Sequence, residues 1–536
     1  MFSYNLVEKS FIPLSADGVV RDVGIREALR EAHTFSDVQA SSPLETVAIM
    51  RLFLAVLYAA KTPTDWKDSR ALLQAGRLRA DMIDAYLDQW QDRFDLFGER
   101  PFLQIGNLSM AQATPMAALA TEAATGNNPT LFDHARDDEP LPLTPAQAAR
   151  RLLAVQAFAL GFGRAADATV GGQAFPRPYL ADAICLRGIT VWLSGRTLFE
   201  TLVLNLVPGK LEDRPLWERD DPMERLDRVV NGKRIAVLGK DAIDRYVWQS
   251  RLTRLLPETD AQGQTIVRRA YFTQGREADK RQGDPMKVFV ESKTEGLYAL
   301  GLNAGKASWR DLHSFLALNT KGVQNPILRS VAKLVVEGVI PDSTSYRLNI
   351  VGLATDPGKA GKFLLWRHDR LSIPAILLED DTMITLLGRT LRDAEFVASD
   401  LGRRTYIVAK NFVPPHGNPD PKDVGHLTDA LDSRPAYWAR LENHFPALLE
   451  GLLRDENAAV SAWRAQVERE AESALRESCR QLGYTPQAIR AKAAVSFQFQ
   501  ADEQAVERQR KERAENKKQA ELKKKKEEKE RERVTR

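Results

Sequence analysis

The sequence predicts an α+β protein: a large mixed N-terminal domain over residues 1–373, a C-terminal four-helix bundle over 374–500, and a charged tail over 501–536. Three observations carry this reading. A chain of 536 residues exceeds what a single hydrophobic core serves. Its middle third alternates short apolar runs with loops rich in Gly, Asp and Lys instead of repeating a βα unit. Beyond Pro374 the strand signals fade, and apolar residues recur at helical spacing to about residue 500.

Taken in order, the opening run FSYNLVEKSFIPL reads as a strand, a turn and a second extended piece ending at Pro13. Residues 24–32 and 43–60 read as helices; the second starts at Ser42-Pro43 and spaces Val47, Met50, Leu54 and Leu57 along one face. Another helix is predicted over 80–91, followed by a turn closed by Pro101, and a further one over 146–160. Strands are predicted over 266–272, 288–291 and 297–302. In the last third, Leu387, Leu391, Ala394, Val397 and Leu401 line one helix face, and Trp463, Val467, Ala471, Ala474 and Cys479 another. Tyr437, Leu441, Phe445 and Leu448 suggest a third, interrupted by Pro446, and Thr485-Pro486 starts a fourth. Four helices of roughly twenty residues would pack as a bundle. The tail offers charges for i,i+4 pairs but no apolar face to bury.

Charge is unevenly placed. From Glu503 to Arg536 there are 14 Lys and Arg against 9 Glu, leaving 62 basic and 63 acidic residues in the rest of the chain. The folded body is therefore nearly neutral, and any nucleic-acid site must be a local patch. The two cysteines, Cys185 and Cys479, form no CxxC pair, which excludes a disulfide scaffold and a Cys-rich zinc site. No secretory signal is recognised at the N-terminus, and the longest apolar stretches are broken by Arg51 or by Arg196 and Glu200. A cytoplasmic protein without a membrane span is expected.

Catalytic chemistry finds no support. The seven histidines are scattered without an HxH or HExxH pair, and His368-Asp369 lacks the further ligands of a metal-dependent phosphohydrolase. The acidic run from Asp133 to Asp138 lacks the alternating ligands of a calcium loop. Gly161, Gly163 and Ala166 fit a dinucleotide fingerprint in letters, but a helix precedes them where a strand is required. The Gly358–Lys362 run has the wrong spacing for a phosphate-binding loop. No nucleophile, metal centre or cofactor is expected. What remains are three loops joining glycine to Lys or Arg: 161–164, 273–284 and 355–362. Glycine lets a backbone approach phosphates or a groove floor while a basic side chain reaches in.

Ordered matches along the chain resemble one family. They are NLVEKSFIPL near the start, DLFGERPFLQ at Asp95, TPMAAL at Thr114, the NNPTLFDH to GFG block at Asn127, GRTLFETLVLNL at Gly195, VWQSRLTRLLPE at Val247, SWRDLHSFLA at Ser308 and LLWRHDR at Leu364. The chain resembles the large subunit of the type I-E CRISPR surveillance complex, Cascade. That resemblance implies a non-catalytic subunit that reads the protospacer-adjacent motif in duplex DNA, starts strand separation, holds the displaced strand and recruits a helicase-nuclease. It further implies contact with other Cascade subunits and with the 5′ handle of the guide RNA, here through Asn127, Asn128, Thr130, Leu131 and Phe132. Motif recognition would fall to a glycine loop (Gly161, Gly163, Arg164), a basic finger (Arg276 or Lys280) and a wedge (Gly358, Lys359, Ala360). The wedge turn here is DPGKAG where some relatives carry a polar amide, and the tail departs from the family pattern. The reading of a different class is a scaffold that binds RNA or protein without reading DNA. The two part on whether the three glycine loops share one face.

Overall fold

One helix organises the first half of the molecule. In the computed structural model, which describes residues 2–120, 140–161, 163–226, 229–230, 233–234, 239–279, 283–292, 296–316, 325–356, 362–413 and 420–501, the Pro43–Lys61 helix is buried without a break from Leu44 to Tyr58. The Ser42 hydroxyl caps it by accepting from the Glu45 N–H, and Pro43 occupies its first turn. Contrary to the sequence expectation, this helix is long and apolar enough to cross a membrane. Its one buried arginine, Arg51, is paired with Asp284, and its surface is covered by the fold, so it serves as a core helix.

The chain divides into two compact units, Met1–Ser308 with Ser314–Asp381, and Trp309–His313 with the chain from Thr382. In the first unit the described strands pair only antiparallel, in small sheets of two or three strands. The mixed, non-repeating α+β class is the one expected from sequence. The predicted strand over 266–272 is Thr265–Gln274, and it pairs with Arg251–Thr259. The opening differs. The strand is Ile12–Ala16, and the residues before it turn instead, with Asn5 bridging to Asp95. The longest ribbon is Ser345–Thr355 against Phe363–Pro374, with Thr190–Ser194 on its other side.

The second unit is helical, as expected, and the three predicted apolar faces are buried. Its helices are not all long, however. Asp381–Phe412 and Glu456–Arg480 are, whereas Pro421–Ala430, Arg434–Glu442, Phe445–Leu452 and Pro486–Ala493 are short. Each short helix carries a proline in its first turn, where the missing N–H is harmless; further in, it would break the ladder. The boundary also differs from the expected 373/374 step. Trp309 packs against Phe445 and Trp463, and Arg310 forks onto Glu395 at 2.9 and 2.8 Å. Those contacts make Trp309–His313 part of the helical unit.

Candidate nucleic-acid interface

The glycine turn is set by the helix before it. Thr144 and Gln147 form a reciprocal capping box at the start of the Pro145–Phe158 helix, and Ala148, Leu152 and Val155 bury one face. The helix ends at Ala159, and the chain then runs beside residues 180–183. The Ala183 N–H donates to the Ala159 carbonyl, the Gly161 N–H to Asp182 Oδ1 at 2.8 Å, and the Leu180 N–H to the Gly163 carbonyl. A Cβ on Gly161 would lie 2.4 Å from the Asp182 nitrogen, so only glycine fits. Gly163 has φ +71° and open space around it. Arg164 follows with its side chain 81% exposed, 3.6 Å from the equally exposed Asp167. A helix rather than a strand precedes these glycines, so no dinucleotide geometry arises.

The second loop is held at both ends by buried arginine–carboxylate pairs. At its start, Arg276 donates to both oxygens of Asp244, at 2.6 and 3.0 Å, and its guanidinium lies 3.5 Å over the Trp248 ring. At its end, Arg51 donates to both oxygens of Asp284, at 3.1 and 2.9 Å. Burial pushes both carboxyls up, yet the facing guanidiniums outweigh it and hold them below the usual carboxylate range. This corrects the sequence expectation for Arg276: a side chain 4% exposed, stacked and doubly bonded is an anchor and not a finger. Nothing local signals this, because Asp244 lies 32 residues upstream. Lys280, the other candidate for the finger, lies outside the described residues.

The glycine turn and the base of this loop meet at one cleft of about 540 Å³, lined by Gly161, Tyr179, Arg187, Glu277, Asp279 and Tyr298 among others. Two of the three glycine loops are therefore brought together. Sequence reasoning missed Tyr179, which donates to Glu277 at 3.0 Å, and Arg187, exposed and paired with Asp182. Lys287 sits deeper, donating to the Arg187 carbonyl, and burial pushes its pKa down. The cleft carries Asp182, Glu277 and Asp279 beside Arg187 and Lys287, so its walls do not form a uniformly basic channel.

The third loop closes the long ribbon. Cross-strand pairing runs from Ser345↔Pro374 to Thr355↔Phe363, with a register shift after Ala354, and the Asp356 N–H donates to the Lys362 carbonyl at 3.0 Å. Gly358, Lys359 and Ala360 lie outside the described residues, as do Asn127, Asn128, Thr130, Leu131 and Phe132. In the helical unit, Arg404 donates to the Ser496 and Gln498 carbonyls and lies 4.0 Å over Phe499, pinning the chain that leads to Ala501. Arg403 pairs with Asp400.

Cys185, His368 and Asp369 are held by burial or by internal hydrogen bonds. Cys185 is buried, which pushes its thiol up and away from a reactive thiolate. His368 Nε2 lies 3.0 Å from Asn349 Oδ1, and Asp369 accepts from the Ser308 N–H. Among the described residues no group of three His, Cys, Asp or Glu side chains is placed to hold a metal.

Solved structures of CRISPR-associated proteins share this fold. CasA from Thermus thermophilus superposes with a TM-score of 0.76 at 28% identity, covering 92% of this chain and 97% of that one. Cse1 from Acidimicrobium ferrooxidans gives 0.75 at 25% identity, covering 92% and 96%. A chain of a CRISPR RNA-guided surveillance complex gives 0.70 at 22% identity over 92% and 98%, a likeness of fold. In sequence, residues 5–474 match the family model described as CRISPR-associated protein Cse1. The CRISPR-associated protein CasA/Cse1 of Thermus thermophilus is 32% identical over 516 residues, 92% of this chain and 96% of that protein. The chain belongs to the CRISPR-associated Cse1 (CasA) family.

Proposed function

We propose that this protein is the non-catalytic large subunit of a cytoplasmic, RNA-guided DNA surveillance complex, and that it reads a short motif in duplex DNA. The observation that carries the reading is the shared cleft. Gly161, where only glycine fits, and residues 277–279, which follow the buried Arg276–Asp244 pair, both line it, and the exposed Arg164 lies three residues beyond Gly161. Rigid anchoring suits recognition in a groove, where a misplacement of about an ångström loses the contact. Minor-groove reading by backbone and arginine needs no uniformly basic wall, which agrees with the mixed charge found. In this proposal Gly358, Lys359 and Ala360 part the first base pairs, with guide pairing offsetting the unpairing. Asn127 to Phe132 meet the guide's 5′ handle, and the protein docks other subunits, holds the displaced strand and receives the helicase-nuclease. Family membership and a shared fold with a chain of an RNA-guided surveillance complex support it.

The test is binding of duplexes with randomised motifs to the assembled guide complex at two salt concentrations. Wild type is compared with Arg164→Ala plus Lys359→Ala. Motif-dependent binding that collapses in the double variant is expected. Motif-independent binding unchanged by it would leave a scaffold.

A further inference from the structure

The Ser345–Pro374 end of the long ribbon opens onto a cleft of about 830 Å³. The 345–355 strand is paired on both sides, so Ser194, Arg347 and Ser372 stand in one row across the three strands, on one face. Arg370 is the diagonal neighbour of Arg347, about 7–8 Å away by sheet geometry, so both guanidiniums can reach one small group. Both arginines are exposed and line the cleft with Arg196, whereas Asn349, next on that face, is buried and closes it.

The donors here are unspent. Among the described residues the Arg347 side chain makes no hydrogen bond or ion pair, and Arg370 engages only its Nε, 3.4 Å from His368 Nε2. Asn349 Nδ2 donates to Ser194 Oγ at 2.7 Å, and the Ser194 proton, on a side chain only 6% exposed, meets no acceptor among the described residues. The cleft's carboxylates are already engaged. Glu200 accepts from the Arg196 N–H and the Tyr346 hydroxyl, and Asp37 from the Val38 N–H. Burial pushes the Asp37 carboxyl up in spite of Arg370 and Arg347, so it is no tight partner for either.

We propose that this cleft binds a terminal phosphate group, free or on a small ester, with Arg347 and Arg370 forking onto its oxygens, the Ser194 and Ser372 hydroxyls donating to it, and Arg196 covering it. Two guanidinium forks with flanking hydroxyls offer more donors than the about four lone-pair sites of a carboxylate can take. A terminal phosphate presents three strong acceptor oxygens and nearly two charges. A nucleic-acid backbone suits the cleft less, because each of its phosphates is a singly charged diester and Asp37 and Glu200 repel a run of them. The cleft has the volume of a small-molecule site. Arg347 lies eight residue steps, about 27 Å at strand rise, from Thr355 at the other end of the ribbon, so the site is separate from the 355–362 turn.

The experiment titrates the full chain with ribose 5-phosphate, inorganic phosphate and dimethyl phosphate at constant ionic strength, read by phosphorus-31 NMR line broadening. Binding of the first two is expected, with dimethyl phosphate weaker by about tenfold or more. Ribose 5-phosphate bound the more tightly assigns an ester, and inorganic phosphate the more tightly assigns the free ion. Arg347→Ala plus Arg370→Ala is expected to weaken both by about tenfold or more, with the unfolding midpoint nearly unchanged because neither guanidinium has an ion-pair partner. Arg347→Lys plus Arg370→Lys keeps the charge, loses the forks and falls between. Ser194→Ala is expected to weaken binding about threefold. Equal affinity for dimethyl phosphate, affinities unchanged in the arginine variants, or no binding of either terminal phosphate would overturn the proposal. So would a thymidine 12-mer that displaces ribose 5-phosphate and is lost in the same variants, since the cleft would then hold a nucleic-acid backbone.

Discussion

Replacing Arg276 by alanine separates the two roles this residue can have. In the structure its guanidinium is buried, bonded twice to Asp244 and stacked on Trp248. Removing one partner of a buried ion pair costs about 3–5 kcal/mol, because the other charge is left in a poorly solvated site. Here Asp244 keeps Arg225 at 3.2 Å and the Lys240 N–H at 3.3 Å, which places the ion-pair loss near the lower end. The lost stacking on Trp248 adds about 1–2 kcal/mol for a desolvated guanidinium. A total of about 4–5 kcal/mol is expected, read as a lowered denaturant midpoint of the first unit. Hydrogen exchange over 249–276 should quicken with it, since the Gly275 and Arg276 N–H groups bond to Ser250 and Gln249. Arg276→Lys keeps the charge but loses the fork and the stack, and falls between wild type and alanine. A loss below about 1 kcal/mol, together with lost DNA binding, would refute this reasoning and restore Arg276 as a surface finger.

Two further outcomes follow from the same geometry. Gly161→Ala drives a Cβ to 2.4 Å from the Asp182 nitrogen and must shift backbone, whereas Gly163→Ala meets nothing and is opposed only by its positive φ, about 1 kcal/mol. Thermal unfolding should therefore rank Gly161→Ala as clearly the more damaging, and equal effects would contradict the packing described. His368 is held at about 4, by burial first and then by Arg370, against an ordinary value of about 6.5. The folded ring stays neutral while the unfolded one takes up a proton. Its contribution to stability is thus complete above about pH 6.5 and is lost as pH falls towards 4. An NMR titration of the His368 ring with a midpoint near 6.5 would contradict this.

Local signals made much of the architecture legible. Ser42-Pro43 marked the start of the core helix, and one-sided apolar spacing found the faces of the helical unit. Those features depend on residues within a turn or two of each other. The misses are long-range. Arg276 is written as a basic residue in a glycine loop, and only folding brings Asp244 and Trp248 onto it. Trp309–His313 sits amid strands in sequence yet packs with helices, because three aromatic rings from distant segments enclose Trp309. The glycines at 161 and 163 were visible in sequence, whereas the meeting of Gly161 with residues 277–279 at one cleft was not.

The most direct test of the central claim is to map where a motif-bearing duplex touches this chain in the assembled guide complex. A photo-crosslinker placed in the minor groove of the motif, followed by peptide mapping, answers it. The account predicts crosslinks within 160–164 and 277–284 that vanish when the motif is scrambled. Crosslinks that persist with a scrambled motif, or that fall only on the charged tail and the helical unit, would contradict it.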